Sequence, residues 1–249
     1  MRRVSLPLPL ILLLASCAGA SASIAGEVTY AKTADGNFQK GEHSLKSKDY
    51  QEAVSYFQYV KNKFPYSHFA PLAELRVADA NFDQEKWTEA IDGYKNFIKD
   101  HPTHREVDYA GFRIGLAHYK DIPSDFFLVP PSYEKDQDQL VQAQTSLKDF
   151  LASYPDSTYV PKAKELLADV RKRLARHELY VAQYYQSHDR LRAACWRYLG
   201  LVRDYPDTPF AAEARQQAER LTRKLGADAR LPSVEPAPSI SDGSSSSSP

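Results

Sequence analysis

The sequence is short of the residues that most catalytic and membrane-spanning classes depend on. Of 249 residues only 10 are glycine, 2 cysteine and 1 methionine. There is no Gly-rich phosphate loop, zinc-binding helix motif or Gly-x-Ser-x-Gly elbow, so nucleotide, metallopeptidase and serine-hydrolase chemistry all lack their signatures. Neither sign of charge is in excess: 32 Lys+Arg face 32 Asp+Glu, with a pI near 7.1. That balance leaves no basic footprint for nucleic acid. Mean hydropathy is -0.53, and no apolar run of about 18 residues follows the N-terminus, which excludes a polytopic membrane protein. What is abundant is aromatic and proline content, with 16 Tyr, 11 Phe and 16 Pro. Hydrophobic residues at 43% and charged residues at 26% are ordinary for a globular chain.

The first residues are targeting chemistry. Arg2 and Arg3 precede the apolar stretch Leu6 to Leu14, and Leu14-Ala15-Ser16-Cys17 has the form of a bacterial lipobox. Residues 1–16 are therefore predicted to be a signal peptide. Cys17 becomes the lipidated N-terminus, carrying S-diacylglycerol and an N-acyl chain, and no other cofactor is expected. Several acyl chains anchor a protein stably where one chain does so only marginally. Losing Arg2 and Arg3 leaves 30 basic against 32 acidic side chains, a nearly neutral mature surface. Cys195 is then the one remaining cysteine, so no internal disulfide can form. Its setting, Leu191 to Trp196, reads as helix interior and its role as a small buried hydrophobe. Residues 17–34 read as a flexible tether and 227–249 as a disordered Pro/Ser-rich tail, both too poor in apolar groups to offset the entropy of ordering.

Between these ends the chain repeats itself. From Gly41, Tyr50 lies nine residues on, Ala53 three more, Phe57 four more and Pro65 eight more. Ala78, Trp87, Ala90, Tyr94 and Pro102 take the same steps, as do Ala182, Leu191, Ala194, Tyr198 and Pro206. A further copy is split: Leu140, Ala143, Leu147 and Pro155 keep their spacing, while the matching small residue, Gly115, lies sixteen positions too early. The prolines agree, since Pro65 to Pro102 is 37 residues and Pro102 to Pro155 is 53. One loop insertion at 120–137 accounts for both numbers.

Small residues at matching places let paired helices approach closely, and aromatic residues fill the space between pairs. Ala53-Val54-Phe57-Val60 and Ala90-Ile91-Tyr94-Phe97-Ile98 have helical periodicity. The prolines end these helices, and Ser67, Thr103, Ser157 and Thr208 are candidate N-caps for the next. The fold class is thus all-α, a tetratricopeptide α-solenoid of about four and a half helix pairs. Its N-terminal repeats lie at 35–119 and its C-terminal repeats at 138–226. Pro155 to Pro206 is 51 residues, fourteen more than the repeat, and fourteen residues are about 3.9 helical turns. This predicts one long helix from about Val160 to Tyr185, with Ala168 and Ala182 on a shared buried face.

With these features in place, the chain resembles the BamD family of outer-membrane β-barrel assembly lipoproteins. The resemblance rests on the lipobox, on Phe64-Pro65-Tyr66-Ser67, and on Asn96 to His104 with its His-Pro-Thr-His junction followed by Val107-Asp108-Tyr109-Ala110. Arg173 to Glu178, Val181 to Tyr185 and Arg203-Asp204-Tyr205-Pro206-Asp207-Thr208 complete it. It covers about Asn37 to Leu225. The family's outer-membrane members carry a non-acidic residue after the lipidated cysteine, as Ala18 is here. The final helix is expected over Phe210 to Leu225, short of the last helix of a five-repeat member, which leaves any contact made by that helix without a counterpart.

The resemblance implies a non-catalytic scaffold, held to the periplasmic face of the outer membrane by lipid. Its partners would be a BamA-type barrel protein, other assembly lipoproteins and unfolded outer-membrane clients, with no nucleic acid. First helices of tetratricopeptide pairs line a concave groove, so Phe38, Glu42, Leu45, Leu75, Asp79, Phe82, Tyr109, Phe112, Leu116 and Tyr119 are candidate client-groove residues; the alternative is that many of them pack between helices. An aromatic groove would hold a client's C-terminal aromatic strand by apolar burial. Arg197, with Tyr198, Arg203 and Asp204, is the candidate BamA interface, against the alternative of a solvated arginine on an outer helix face.

Other functions fit less well. His101 and His104 are interrupted by Pro102 and lack a third ligand nearby, so no metal site is expected, and no catalytic residue is assigned. The rival reading is a tetratricopeptide lipoprotein coordinating cell-wall synthesis or envelope constriction, for which no N-terminal heptad segment is visible. A wall-anchored enzyme accessory would need a wall-binding motif, and none is seen.

Overall fold

The computed structural model describes residues 28–123, 132–134 and 137–226. Cys17, the signal peptide, most of the tether, most of the insertion and the tail lie outside these described residues. Within them the chain forms nine α-helices in series: α1 Ala34–Lys46, α2 Tyr50–Lys63, α3 Phe69–Asp83, α4 Trp87–Asp100, α5 Val107–Lys120, α6 Asp138–Ser153, α7 Val160–Ser187, α8 Leu191–Asp204 and α9 Ala211–Leu225. Each packs against its successor, and α1 also touches α3 and α5 touches α7. That arrangement, with neighbours in sequence as neighbours in space, is the tetratricopeptide solenoid.

The repeated small residues do what their spacing implies. A Cβ on Gly115 would come within 2.8 Å of Leu147 Cδ2, and one on Gly93 within 2.8 Å of Ala78 Cβ. An alanine at either place would force its neighbour to shift. The tight links between paired helices turn on Lys48, Glu85 and Asp189, each with φ between 55° and 63°, a left-handed conformation that favours glycine elsewhere. The core is serial rather than central. Four clusters follow one another, from Phe38, Ala53, Phe57 and Val60 at the first pair to Tyr198, Leu201, Ala214 and Leu221 at the last. Each fully buried large side chain contributes on the order of 1.5–3 kcal/mol.

Several expectations need correction. Residues 28–33 are not free tether. Tyr30 stacks on Tyr59 with ring centroids 4.0 Å apart. The buried Asn37 amide donates to the carbonyls of Ala31 and Thr33, while its oxygen accepts from the Ala31 N–H. The candidate N-caps lie one to three residues too early: the helices start at Phe69, Val107, Val160 and Ala211, and the cap positions are His68, Glu106, Tyr159 and Phe210. Ser67 and Ser157 instead brace the preceding turn, their hydroxyls accepting from the N–H of Phe69 and Tyr159. Ala168 is exposed whereas Ala182 is buried. Both occupy the position that a second helix covers in every other pair, but α7 continues past Ala168, and the α8 core contacts begin at Ala175. Cys195 is buried, as its setting implies.

The last helix differs from the inner ones. α3 buries residues around much of its circumference, including Ala70, Leu75, Ala78 and Phe82, whereas α9 buries one stripe of Ala211, Ala214, Ala218 and Leu221. Gln216, Glu219, Arg220 and Arg223 stay exposed on its other side, the solvated composition of a capping element.

Candidate functional site

First helices of the pairs, α1, α3 and α5, line one face, and Asp79 lies at the middle of it. Asp79 is buried, a position an aspartate occupies only when well partnered. Its Oδ1 accepts from the Tyr94 hydroxyl at 2.7 Å and the Tyr109 hydroxyl at 2.8 Å. Its Oδ2 accepts from Arg76 Nη1 at 2.8 Å, and Arg113 Nη2 stands 3.5 Å from Oδ1. Arg76 Nε reaches Glu42 on α1 at 2.7 Å, tying α1 to α3. Arg113 Nε donates to the Tyr94 hydroxyl at 2.9 Å, and its guanidinium lies over the Phe82 ring at 3.7 Å from the centroid. The network thus spans four helices.

Its electrostatics follow from burial beside a carboxylate. Burial, then the Asp79 charge, pushes the Tyr94 and Tyr109 hydroxyls far above the ordinary tyrosine range, so both remain donors. Burial opposes the Arg76 charge, but Asp79 and Glu42 outweigh it and hold its pKa above the usual arginine value. Asp83 is raised, by burial first and by neighbouring Asp79 in addition, with Arg113 opposing. Above this network is an open hollow of about 350 Å³, edged by Leu45, Asp83, Glu106 and Tyr159. Its wall holds four acids, Glu42, Asp79, Asp83 and Glu106, against two bases, Arg76 and Arg113.

The ten predicted groove residues divide. Glu42, Leu45, Asp79 and Tyr109 line the hollow. Phe82 lies against both the Arg113 guanidinium and the Trp87 ring. Leu75 is 0% exposed in the core, Phe38 packs between Phe57 and Phe69, and Phe112 stacks on Tyr159. These three are core residues, because first helices also bury the side that faces their own partners. Leu116 is half-buried in the same packing. Tyr119 lies further along, donating to Asp169 at 2.9 Å, in a second and larger cavity. The groove is therefore charged rather than aromatic, since its rings are consumed by packing. Arg76, Arg113, Asp83, Glu106 and Tyr159 escaped sequence reasoning. A signal existed for two of them: Arg76 and Arg113 are 37 residues apart, the repeat length itself.

The proposed interface on α8 also divides. Arg197 is on the surface, its Nη1 3.1 Å from Glu178 on α7. Arg203 and Asp204 are exposed and pair with each other at 2.8 Å. Tyr198 is 1% exposed, with its hydroxyl donating to Gln186, so it packs α8 onto its neighbours and presents nothing to a partner. Trp196, not singled out from the sequence, is 51% exposed beside Arg197. His101 faces Glu74 at 3.0 Å, and both His101 and His104 pack on the Phe97 ring. No described helix is long and apolar enough to cross a membrane.

Comparison with known proteins finds relatives over most of the chain. The chain is 27% identical over 191 residues to the outer membrane protein assembly factor BamD of Pasteurella multocida, covering 76% of this chain and 73% of the relative. It is 24% identical over 229 residues to the factor of the same name from Neisseria meningitidis serogroup A, covering 91% and 86%. Among solved structures, a thermophilic TPR protein of Thermus thermophilus is 16% identical with a TM-score of 0.38, covering 76% of this chain and 98% of that one. The family model described as "YfiO: Outer membrane lipoprotein" matches residues 30–234, the whole of the helical body. With a match over that length, the chain belongs to the YfiO family of outer membrane lipoproteins.

Proposed function

We propose that this protein is a non-catalytic scaffold of outer-membrane β-barrel assembly. Lipid on Cys17 holds it to the outer membrane on the periplasmic side, and it works with a BamA-type barrel protein, companion assembly lipoproteins and unfolded clients. The observation that carries this reading is the family match over residues 30–234, with relatives named as outer membrane protein assembly factors.

The geometry supplies a rationale for each contact. The hollow above Asp79 presents paired charges held by α1, α3 and α5, a surface that meets the polar backbone and charged side chains of an extended chain without first having to be ordered. The edge of α8 offers Trp196, Arg197, Arg203 and Asp204 together; aromatic and arginine residues dominate binding energy at protein interfaces. Arg197 is held by Glu178 and can exchange that pairing for a partner carboxylate.

A mild-detergent pull-down of tagged protein from native membranes, read by mass spectrometry, tests the reading. Recovery of a barrel protein with periplasmic repeats is expected, with reduced recovery for Arg197→Glu. Recovery of wall-synthesis proteins in its place would move the protein to that rival role.

A further inference from the structure

We propose that a second cavity, between α5, α7 and the start of α9, binds an acidic peptide segment. This site is separate from the Asp79 hollow and does not rest on the client-binding reading. The cavity measures about 730 Å³, within the range of pockets that hold a ligand. Among the described residues four cations line it, Lys120, Lys172, Arg173 and Arg176, against the one carboxylate of Asp169. That carboxylate is already engaged, accepting from Tyr119 at 2.9 Å and paired with Arg173 Nε at 2.8 Å. Lys120, Lys172 and Arg176 make no ion pair with any described residue. Three positive charges that no described carboxylate pairs thus converge on one concavity, whose walls focus their field on an incoming anion.

The rest of the lining argues for a peptide over an inorganic ion. Arg176 lies over the Tyr133 ring at 4.3 Å and Arg173 over Tyr119 at 5.6 Å, so two guanidinium groups are partly positioned before anything binds. Ile122 and Phe210 add apolar wall, which a bare phosphate would leave unused. Spacing points the same way. Lys172 and Arg176 are four apart on one helix, which sets their stems about 5–6 Å apart. Alternate side chains of an extended peptide are about 6.6 Å apart on one side. Two acidic residues separated by an apolar one therefore match this pair. Such a segment would be turned away from the Asp79 hollow, where acids outnumber bases.

The test uses the full-length protein and a fluorescent peptide alternating Glu with Leu and Phe, its binding followed by anisotropy. Competitors are the same peptide with Lys for Glu, inorganic phosphate and phosphatidylglycerol vesicles. Lys172 and Arg176 are exposed, so the double variant Lys172→Glu/Arg176→Glu should fold, which circular dichroism checks. The acidic peptide is expected to bind in a salt-dependent manner, and the double variant to weaken it about ten-fold. Lys63→Glu, at the exposed end of α2, should change it by less than about two-fold. The proposal is overturned if the peptide does not bind, if the double variant binds it equally well, or if phosphate or vesicles bind with the same variant dependence while the peptide does not.

Discussion

Replacing Asp79 by alanine should be among the most damaging single changes available in the N-terminal repeats. The side chain accepts from Tyr94, Tyr109 and Arg76, with Arg113 3.5 Å away. Removing it leaves two buried hydroxyls and two arginines without the anion that justified their burial. Taking one partner from a buried charged network costs about 3–5 kcal/mol, against a total stability for a typical domain of about 5–15 kcal/mol. Because solenoid stability is a sum of repeat and neighbour terms, the loss should fall on α1 to α5 and appear as an early unfolding step. Asp79→Asn keeps the shape and most hydrogen bonds but removes the charge, so a smaller loss of about 1–3 kcal/mol is expected. Tyr94→Phe, which leaves Asp79 with Tyr109 and Arg76, should cost about 1–1.5 kcal/mol. Urea unfolding followed by circular dichroism, with amide exchange to locate the opened segment, measures all three. A cost below about 1 kcal/mol for Asp79→Ala would refute the view that this network ties the first repeats together.

Two further outcomes follow from the same packing and burial. Gly115→Ala and Gly200→Ala make one chemical change in opposite surroundings. The new methyl meets Leu147 at 2.8 Å in the first and nothing within 4 Å in the second. Gly200→Ala should therefore raise stability by about 0.8–1 kcal/mol through helix propensity. Gly115→Ala should lose that gain to about 1–3 kcal/mol of overpacking, and thermal melts that ranked Gly115→Ala as the more stable would contradict the close helix approach. The second outcome concerns pH. Burial lowers the pKa of both His104 and His118, with Lys95 adding to the effect at His118. A histidine depressed in the folded state binds its proton more readily when unfolded, so its contribution is complete above the unfolded value of about 6.5 and is lost as pH falls below it. Melting temperature should decline from pH 6.5 toward 5, and His118→Gln should flatten that slope; an unchanged profile would show that His118 is not the titrating group.

The charged hollow was legible only in part. Glu42, Asp79 and Tyr109 could be placed on first helices by repeat counting, and the structure brings them together. Repeat counting places Leu75, Phe38 and Phe112 on the same face, yet they are core, because a first helix is covered on more than one side. Arg113 was missed because nothing local marks it; its value comes from Tyr94 and Phe82, each on a different helix.

By itself the sequence determined the helical class, the repeat length, the long helix and the positions where backbones must approach. Those are consequences of local periodicity and side-chain size, which act between residues a turn or a hairpin apart. Tertiary structure alone decided which equivalent positions are covered. Ala168 is open and Ala182 is closed because a helix arrives over one and not the other. Tyr198 is sealed while Trp196, two residues away, faces solvent. Asp79 became the centre of a network, and four cations came to share one cavity, because each joins helices distant in sequence. Burial depends on what packs from elsewhere in the chain, and no repeat can specify that from within its own residues.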